Sequence, residues 1–123
     1  MTSTGITRVG TVIVPVRDQG EALAFYVGKL GFETRMDGTF GDGQRWIEVA
    51  PPGAITTIAL VLRQQAAGVE VSLATADAGA DHASLLEQGV EADADLIRMG
   101  EGVPPMFTFR DPDGNRFRMV ERP

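Results

Sequence analysis

Hydrophobic and polar residues alternate in two short runs near the C-terminus, on either side of a turn-forming segment. One parity carries Phe107, Phe109, Phe117 and Met119, and the other carries Thr108, Arg110, Arg116 and Arg118. Between them, at 111–115, lies Asp-Pro-Asp-Gly-Asn, where proline presets φ, glycine accepts positive φ, and Asp and Asn side chains bond their own backbone. The pattern predicts a β-hairpin with one packed and one polar face, although such polar faces are often simply solvated.

Two segments carry the apolar spacing of amphipathic helices. The segment 21–30 repeats apolar residues at i, i+3, i+4 and i+7, namely Leu23, Tyr26, Val27 and Leu30. The segment from about 80 to 88 is predicted to turn three apolar side chains inward, namely Ala83, Leu86 and Val90. Each predicted helix follows an aspartate that can cap it and precedes a glycine that can end it.

Runs rich in β-branched residues predict the strands, at 8–16, 32–37, 44–50, 55–62, 69–75 and, more weakly, 96–99. The segment 37–43 contains three glycines and is predicted to be a mobile loop, which could act as a lid over a site. A second hairpin is predicted around Pro51-Pro52-Gly53, and a short polar connection spans 63–68.

The predicted elements repeat in the order βαβββ. The first module covers about 6–62 and the second about 69–121, and each contains a capping Asp, a helix, a Gly and a final hairpin. A unit of about 60 residues buries too little surface to be secure alone, so the modules should share one domain over 1–123. The predicted fold class is α+β, with two βαβββ modules forming a curved mixed sheet, a concave cavity and helices on the outer side.

Composition narrows the classes of partner. Hydrophobic residues make up 43% and charged residues 23% of the 123, and there is no cysteine for disulfides or thiolate metal sites. No N-terminal signal pattern and no apolar run of about 18 residues is present, so we expect a cytoplasmic protein without membrane association. The net charge of −6 disfavours nucleic acid and anionic lipid, which leaves small molecules or proteins.

Four segments together resemble the vicinal oxygen chelate superfamily, which includes glyoxalase I, fosfomycin-resistance proteins, extradiol dioxygenases and bleomycin-resistance proteins. They are 14–18 (VPVRD), 24–32 (AFYVGKLGF), 85–90 (LLEQGV) and 109–115 (FRDPDGN). The resemblance covers nearly the whole chain and implies paired βαβββ modules, a binding cavity on the concave sheet and, as we predict here, a homodimer. It is specific for the fold and leaves the chemistry open, because the superfamily contains isomerases, lyases, dioxygenases and metal-free drug binders.

Metal-ligand positions of the enzymes in this superfamily fall here on Thr11, Glu48, Glu70 and Arg118. Only the two glutamates could ligate a divalent transition metal, which needs about three imidazole, carboxylate or thiolate ligands. The strand at 8–16 has no such residue, and a guanidinium stays protonated. We therefore predict no metal and no cofactor. The single histidine, His82, is predicted to lie at the surface.

The residues predicted to contact a ligand lie on the strand faces that the resemblance turns toward the cavity. They are Thr11, Ile13, Trp46, Glu48, Glu70, Ser72, Thr108, Arg110 and Arg118. Trp46 is the stacking candidate, with core or dimer packing as the alternative, and Glu70 has cross-strand pairing with Arg118 as its alternative role. The arginines predict a small anionic ligand, aromatic or carbonyl-bearing.

Three functions are compatible with this pattern. The first is a metal-independent protein that binds or sequesters a small organic molecule. The second is a glyoxalase-like lyase or isomerase, or a dioxygenase-like enzyme, with or without a divalent metal, in which Glu48 or Glu70 is the general base and Arg118 stabilises an oxyanion. The third is a non-catalytic interaction module. Turnover distinguishes the first from the second, and a cavity packed shut by side chains would favour the third.

Overall fold

The computed structural model describes residues 4–41, 43–64 and 68–122. Along the chain the elements are β1 (Thr11–Val16), α1 (Gln19–Leu23) continuing as a π-helical turn (Ala24–Lys29), β2 (Glu33–Phe40), β3 (Gln44–Ala50), β4 (Thr57–Leu62), β5 (Glu70–Thr75), α2 (Ala78–Glu87), β6 (Met106–Arg110) and β7 (Arg116–Glu121). No helix in this part of the chain is long and apolar enough to span a membrane.

The strands form two mixed sheets, which confirms the predicted α+β fold class with two βαβββ modules. The first sheet has four strands in the order β1-β4-β3-β2, and the second has three in the order β5-β7-β6. In each sheet the first strand pairs in parallel with the last, while the hairpin partners are antiparallel. The weak strand predicted at 96–99 is reduced to a single bridge between Ile97 and Met106, beside another between Ala92 and Phe109.

The repeat is reproduced in individual hydrogen bonds. The Asp18 carboxylate accepts from the Glu21 N–H at the start of α1, and the Asp77 carboxylate accepts from the Ala80 N–H at the start of α2. After the helices, Gly31 and Gly89 both take φ of 77°, a left-handed conformation that favours glycine. The two modules therefore share a backbone path as well as an order of elements.

The helices and the inner faces of both sheets pack in a single hydrophobic core. Phe25 and Tyr26, from the π-helical turn, reach across to the second module, with ring centroids 6.4 Å from Phe109 and 5.8 Å from Phe117 respectively. Because both sheets turn one face to this core, their opposite faces are left open to solvent. Those two open faces carry strand positions that the sequence predicts to contact a ligand.

The helix faces differ from the prediction in both modules. In the first, Tyr26 is buried as predicted, but Phe25 is buried too while Val27 is exposed, because the π-helical turn changes the angular spacing of its side chains. In the second, Val90 is buried as predicted, whereas Ala83 and Leu86 are exposed. The buried positions of α2 are Ala78 and Leu85, so the predicted phase of that helix was wrong by one residue at the leucine pair.

The predicted glycine-rich loop is mostly strand. β2 continues to Phe40 and pairs with β3 through Gly38, and the Asp37 carboxylate accepts two hydrogen bonds from the Arg45 guanidinium, at 2.9 and 2.8 Å. This bidentate contact lowers the pKa of Asp37. The prediction of a mobile loop was therefore wrong for 37–40, because cross-strand pairing outweighs the low strand propensity of Gly38. Asp42, and residues 65–67 of the predicted polar connection, lie outside the described residues.

The turn at 111–115 joins the two modules through buried polar groups. The Asp111 carboxylate accepts from the Tyr26 hydroxyl (2.7 Å), from the backbone and side-chain N–H groups of Asn115 (2.9 and 2.8 Å) and from the Asp113 N–H (2.9 Å). The Asn115 side chain also donates to the Pro15 carbonyl in β1. Burial, and then the neighbouring Asp111 carboxylate, raise the pKa of Tyr26, so its phenol stays a donor.

Candidate functional site

The first open face carries a carboxylate held by two neighbouring side chains, one of which is supported by a third. Glu48 Oε1 accepts from the Thr57 hydroxyl at 2.7 Å, and Glu48 Oε2 accepts from the Trp46 indole N–H at 2.7 Å. The Thr11 hydroxyl lies 2.8 Å from the Thr57 oxygen and 3.5 Å from Glu48 Oε1. Because the Thr57 hydrogen is directed at Glu48, its oxygen is free to accept from Thr11. The four side chains form one ordered network.

These donors lower the pKa of Glu48. The hydrogen bond from the Trp46 indole is the largest cause, followed by that from Thr57, because both stabilise the ionised carboxylate. Partial burial acts in the opposite direction and raises the pKa, but its effect is smaller. A carboxylate stabilised in this way is a weaker base than an ordinary glutamate. The arrangement suits an anchored acceptor for a hydrogen-bond donor better than a general base.

The Trp46 ring is oriented by this network and borders open space. Its N–H is used by Glu48, so the ring faces and edges are what remain for a ligand. The Phe40 ring meets it edge-on at a centroid distance of 6.1 Å, and both Phe40 and Ile13 are about half exposed, at 53% and 50%. Beside them is an open pocket of about 450 Å³, lined by Gln19, Phe40, Gly41, Gly43, Gln44, Arg45, Trp46, Val61, Leu62 and Arg63.

The second open face is a shallow groove with half-exposed charged side chains. Arg118 Nη2 lies 3.3 Å from Glu70 Oε1, and the two side chains are 48% and 51% exposed. An ion pair this exposed contributes little to stability, so both partners are available to a ligand. The groove has a volume of about 510 Å³ and is lined by Glu70, Ser72, Pro104, Met106, Arg118, Val120 and Arg122.

The predicted contact residues therefore divide between two surfaces. Thr11, Trp46 and Glu48 come together on the first open face, where Ile13 shares the parity of Thr11, while Glu70, Ser72 and Arg118 line the groove of the second.

Two further predicted residues are not in the groove lining. Thr108 faces the side of Arg118 but is only 7% exposed, so a ligand cannot reach much of it. Arg110 pairs with Glu91 at 3.4 Å, near the edge of the sheet. The alternating pattern assigned both to the correct face, but it carries no information about how deeply a residue on that face is covered.

The four positions that the resemblance matches to metal ligands are divided between the two sheets. Thr11 and Glu48 are neighbours, whereas Glu70 and Arg118 lie on the other sheet. In residues 4–41, 43–64 and 68–122, no three His, Cys, Asp or Glu side chains converge as ligands would. A hydroxyl, two separated carboxylates and a guanidinium do not match the donor set of a divalent transition metal.

His82 is not a simple surface residue, contrary to the prediction. Its side chain is half-buried, its Nε2 lies 2.7 Å from the Asp93 carbonyl oxygen, and its ring meets Phe107 edge-on at 5.0 Å. The imidazole therefore packs between α2 and the second sheet and takes no part in either open face.

Sequence reasoning missed many residues of these surfaces, and three of them show why. Thr57 bonds Glu48 on the first face, and Met106 and Arg122 line the groove of the second. Arg122 shares the parity of Arg116 and Arg118, so extending that alternation past Val120 to position 122 would have found it. Thr57 required the β1–β4 register, which places it opposite Thr11 and which the sequence alone does not give.

Comparison with known proteins agrees with this architecture. The family model of the Glyoxalase/Bleomycin resistance protein/Dioxygenase superfamily matches residues 8–119. The uncharacterized protein YetH of Bacillus subtilis (strain 168) is 32% identical, with 94% of this chain and 99% of that protein covered.

Two solved structures are similar over nearly their whole length. One is a member of the Glyoxalase/bleomycin resistance protein/dioxygenase superfamily from Sphaerobacter thermophilus DSM 20745, with a TM-score of 0.86, 36% identity and coverage of 95% of this chain and 98% of that chain. The other is TnmS3, an antibiotic binding protein from Streptomyces sp. CB03234, with a TM-score of 0.85, 34% identity and coverage of 98% and 100%. This chain therefore belongs to the Glyoxalase/Bleomycin resistance protein/Dioxygenase superfamily.

Proposed function

We propose that this protein binds and sequesters a small organic molecule without the help of a metal. The observation that carries the proposal is the Trp46–Glu48–Thr57 network, which holds an indole ring in a fixed orientation beside an open pocket of about 450 Å³. A pocket of this size suits a drug-sized ligand, and a fixed aromatic surface binds planar molecules with little loss of side-chain entropy. The similarity to an antibiotic binding protein supports the same function here.

The ligand is an anion with an aromatic or carbonyl-bearing body. Arg118 and Arg122 both line the groove of the second open face, while Glu70 offsets part of their charge. Guanidinium groups bind carboxylates and phosphates through paired hydrogen bonds. The overall charge of −6 would otherwise repel such a ligand, so the local arginines determine the preference.

The protein acts as a homodimer. Each open face supplies one wall of a cavity, and neither encloses a ligand by itself, so a second copy would complete the site by bringing the Arg118 face of one protomer opposite the Trp46 face of its partner. Apolar side chains exposed on the first face, including Ile13, Met36 and Phe40, would be covered by the same contact.

The enzyme alternative has a specific observation against it. A general base must take a proton readily near neutral pH, whereas its hydrogen bonds lower the pKa of Glu48. Glu70 shares its carboxylate with Arg118 and lies on the groove rather than beside the tryptophan. Both arrangements favour binding over proton abstraction.

Ligand binding can be followed directly, because Trp46 is the only tryptophan of the chain. Matched anionic and cationic aromatic compounds are titrated while its fluorescence is recorded. Anions should bind, and Arg118→Ala should weaken them by about 1.5–3 kcal/mol, the range for a hydrogen bond to a charged group. Arg8→Ala, outside both faces, is the matched control and should leave affinity unchanged.

Two outcomes would contradict the ligand assignment: binding of cations in preference to anions, or unchanged affinity in Arg118→Ala. Failure of all compounds to bind would favour the interaction-module alternative, and turnover of a bound compound would favour the enzyme. About one zinc, nickel, iron or manganese per chain in elemental analysis after mild purification would contradict metal independence.

The composite site has its own test. Light scattering at micromolar concentration should give the mass of a dimer. Mixing Trp46→Ala with Arg118→Ala protein should then restore about a quarter of the sites, since half the dimers are hybrids and each hybrid has one intact site. A monomer mass would contradict the dimer, and dimers without recovery on mixing would place both residues in one protomer's site.

A further inference from the structure

A third cavity lies on the core side of the second sheet, away from both open faces. It is a cleft of about 130 Å³ between the end of the π-helical turn, α2 and the inner surface of β5 and β7. Its floor is apolar and its rim is polar, and it is lined by Lys29, Leu30, Phe32, Leu73, Asp81, Ser84, Leu85 and Met119.

Equivalent positions of the two modules differ in burial at this cleft. Val14 and Leu60 are paired between β1 and β4, and Leu73 and Met119 are paired at the same positions of β5 and β7. Val14 and Leu60 are completely buried, whereas Leu73 and Met119 are only partly buried. The second module leaves uncovered the apolar surface that the first module seals.

The difference arises in the helices. Counted from the capping aspartates, Phe25 follows Asp18 at the same interval at which Ser84 follows Asp77. Phe25 is buried in the core, while Ser84 is exposed and too short to cover the sheet beneath it. A serine where the repeat has a phenylalanine therefore leaves a space of roughly the size of a benzene ring.

The rim determines which molecule this space suits. Lys29 brings one positive charge and Asp81 one negative charge, so the rim has no net charge. Ser84 Oγ accepts a hydrogen bond from Gln88 Nε2 at 3.3 Å, which leaves its hydrogen free to donate, and one Asp81 oxygen accepts from the Thr75 hydroxyl. An apolar floor beneath a balanced polar rim favours a neutral ring with one polar end over an ion.

We propose that this cleft is a second binding site, for a small neutral aromatic molecule of the size and polarity of phenol. It is separate from the proposed ligand site, because Leu73 and Met119 alternate along their strands with Ser72 and Arg118, which face the opposite side of the sheet. The two sites would therefore select different molecules: an anion on the open faces and a neutral ring in the cleft.

Methionine methyl groups provide a probe for each surface. The chain has five methionines, of which Met119 lines the cleft, Met106 lines the groove of the second open face, and Met36 is exposed on a strand beside Glu48. Protein labelled with ¹³C at the methionine methyls is titrated with phenol and, separately, with benzoate. Phenol should shift the Met119 signal with a Kd in the millimolar range expected for a ligand of about seven heavy atoms, and leave Met36 and Met106 unchanged.

Ser84→Phe restores the residue that the repeat has in the first module and should fill the cleft. It should weaken phenol binding by roughly tenfold or more, while Ala83→Phe, the same change at the neighbouring exposed position, should not. Thermal unfolding of both variants checks that they fold, and Ser84→Leu provides a smaller filling substitution.

Three results would overturn the proposal: no Met119 shift with phenol, a shift that survives Ser84→Phe in folded protein, or a shift that follows protein concentration instead of phenol, which would assign the cleft to a contact between copies. Benzoate serves to separate the sites, since a shift of Met36 or Met106 with benzoate tests the open faces whatever happens at Met119.

Discussion

The two open faces belong to the sheets of two similar modules, yet they hold their polar groups in opposite ways. On the first, the Glu48 carboxylate accepts from Trp46 and Thr57, so both of its oxygens are held by other side chains. On the second, Arg118 and Glu70 form one half-exposed contact at 3.3 Å. The polar groups of the first face are preorganised, whereas those of the second can rearrange at little cost.

The turns at the ends of the two final hairpins show the same contrast. The turn at 51–53 lies at the surface, where the Arg35 guanidinium donates to the carbonyl oxygens of Pro51 at 3.0 Å and Ala54 at 2.7 Å. The turn at 111–115 has a buried carboxylate and a buried amide that bind both modules. Polar groups held by several hydrogen bonds are therefore concentrated where the modules meet and beside Trp46.

Removing the buried carboxylate should have the largest effect on stability. Asp111→Ala would leave the Tyr26 hydroxyl and the Asn115 amide without their acceptor inside the protein, which should cost about 3 kcal/mol or more of unfolding free energy. Arg35→Ala, at the equivalent exposed turn, is the control and should cost less than about 1 kcal/mol. Urea denaturation measures both, and equal losses would remove the contrast between the turns.

Glu48→Gln tests the contrast between the two open faces and should have an intermediate effect on the free energy of unfolding. The amide keeps the shape of the side chain but loses the charge that strengthens its hydrogen bonds, so the substitution should cost about 1 kcal/mol at pH 7. Glu70→Gln, on the adaptable face, should cost less than about 0.5 kcal/mol. Similar values for the two variants would mean that the first face is no more organised than the second.

The sequence was sufficient for the fold and for the faces on which the site residues lie. The capping aspartates, the stopping glycines and the alternation at 107–119 depend on local conformational rules, and the structure follows them. The helix phases failed for physical reasons. In the first helix, one residue more than in the second module lies before Gly31, and it is absorbed as a π-helical turn. In the second helix, Leu85 and Leu86 fit the helical spacing equally well. Only comparison with the first module, in which the buried Tyr26 stands at the position of Leu85, chooses between them.

The network around Glu48 could not be read from the chain in the same way. Trp46 and Glu48 share a parity, which the pattern shows, but Thr57 meets them only through the antiparallel register of β3 with β4. The burial of each residue could not be predicted from the sequence either. Thr108 and Arg118 are direct cross-strand neighbours on one face, and yet only Arg118 is exposed. Register and depth are set by tertiary packing, which alternation does not encode.

The pH dependence of the first face follows from the lowered pKa of Glu48. A carboxyl whose pKa is lower in the folded than in the unfolded protein contributes stability that is complete above its usual value of 4.5 and is lost as the pH falls through its folded pKa. The difference in unfolding free energy between the wild type and Glu48→Gln should therefore shrink between pH 5 and pH 3.

Trp46 fluorescence provides a second measurement of the same group. Protonation of Glu48 removes the charged acceptor of the indole N–H, so the emission should change with a midpoint below 4.5, and Glu48→Gln should lack this transition. A midpoint at or above 4.5, or the same transition in Glu48→Gln, would show that the carboxylate is not held by its donors in solution.

The smallest expected effect concerns the pair on the second face. A double-mutant cycle of Glu70→Ala and Arg118→Ala should give a coupling free energy of about 0.5 kcal/mol or less, because both side chains are half exposed and water competes for their charges. The coupling should fall further in 0.5 M salt. A coupling above about 1.5 kcal/mol would indicate a rigid structural pair, and Arg118 could then reach an anionic ligand only by breaking it. A weak coupling leaves the guanidinium free to exchange Glu70 for the ligand at little cost, as an adaptable binding surface requires.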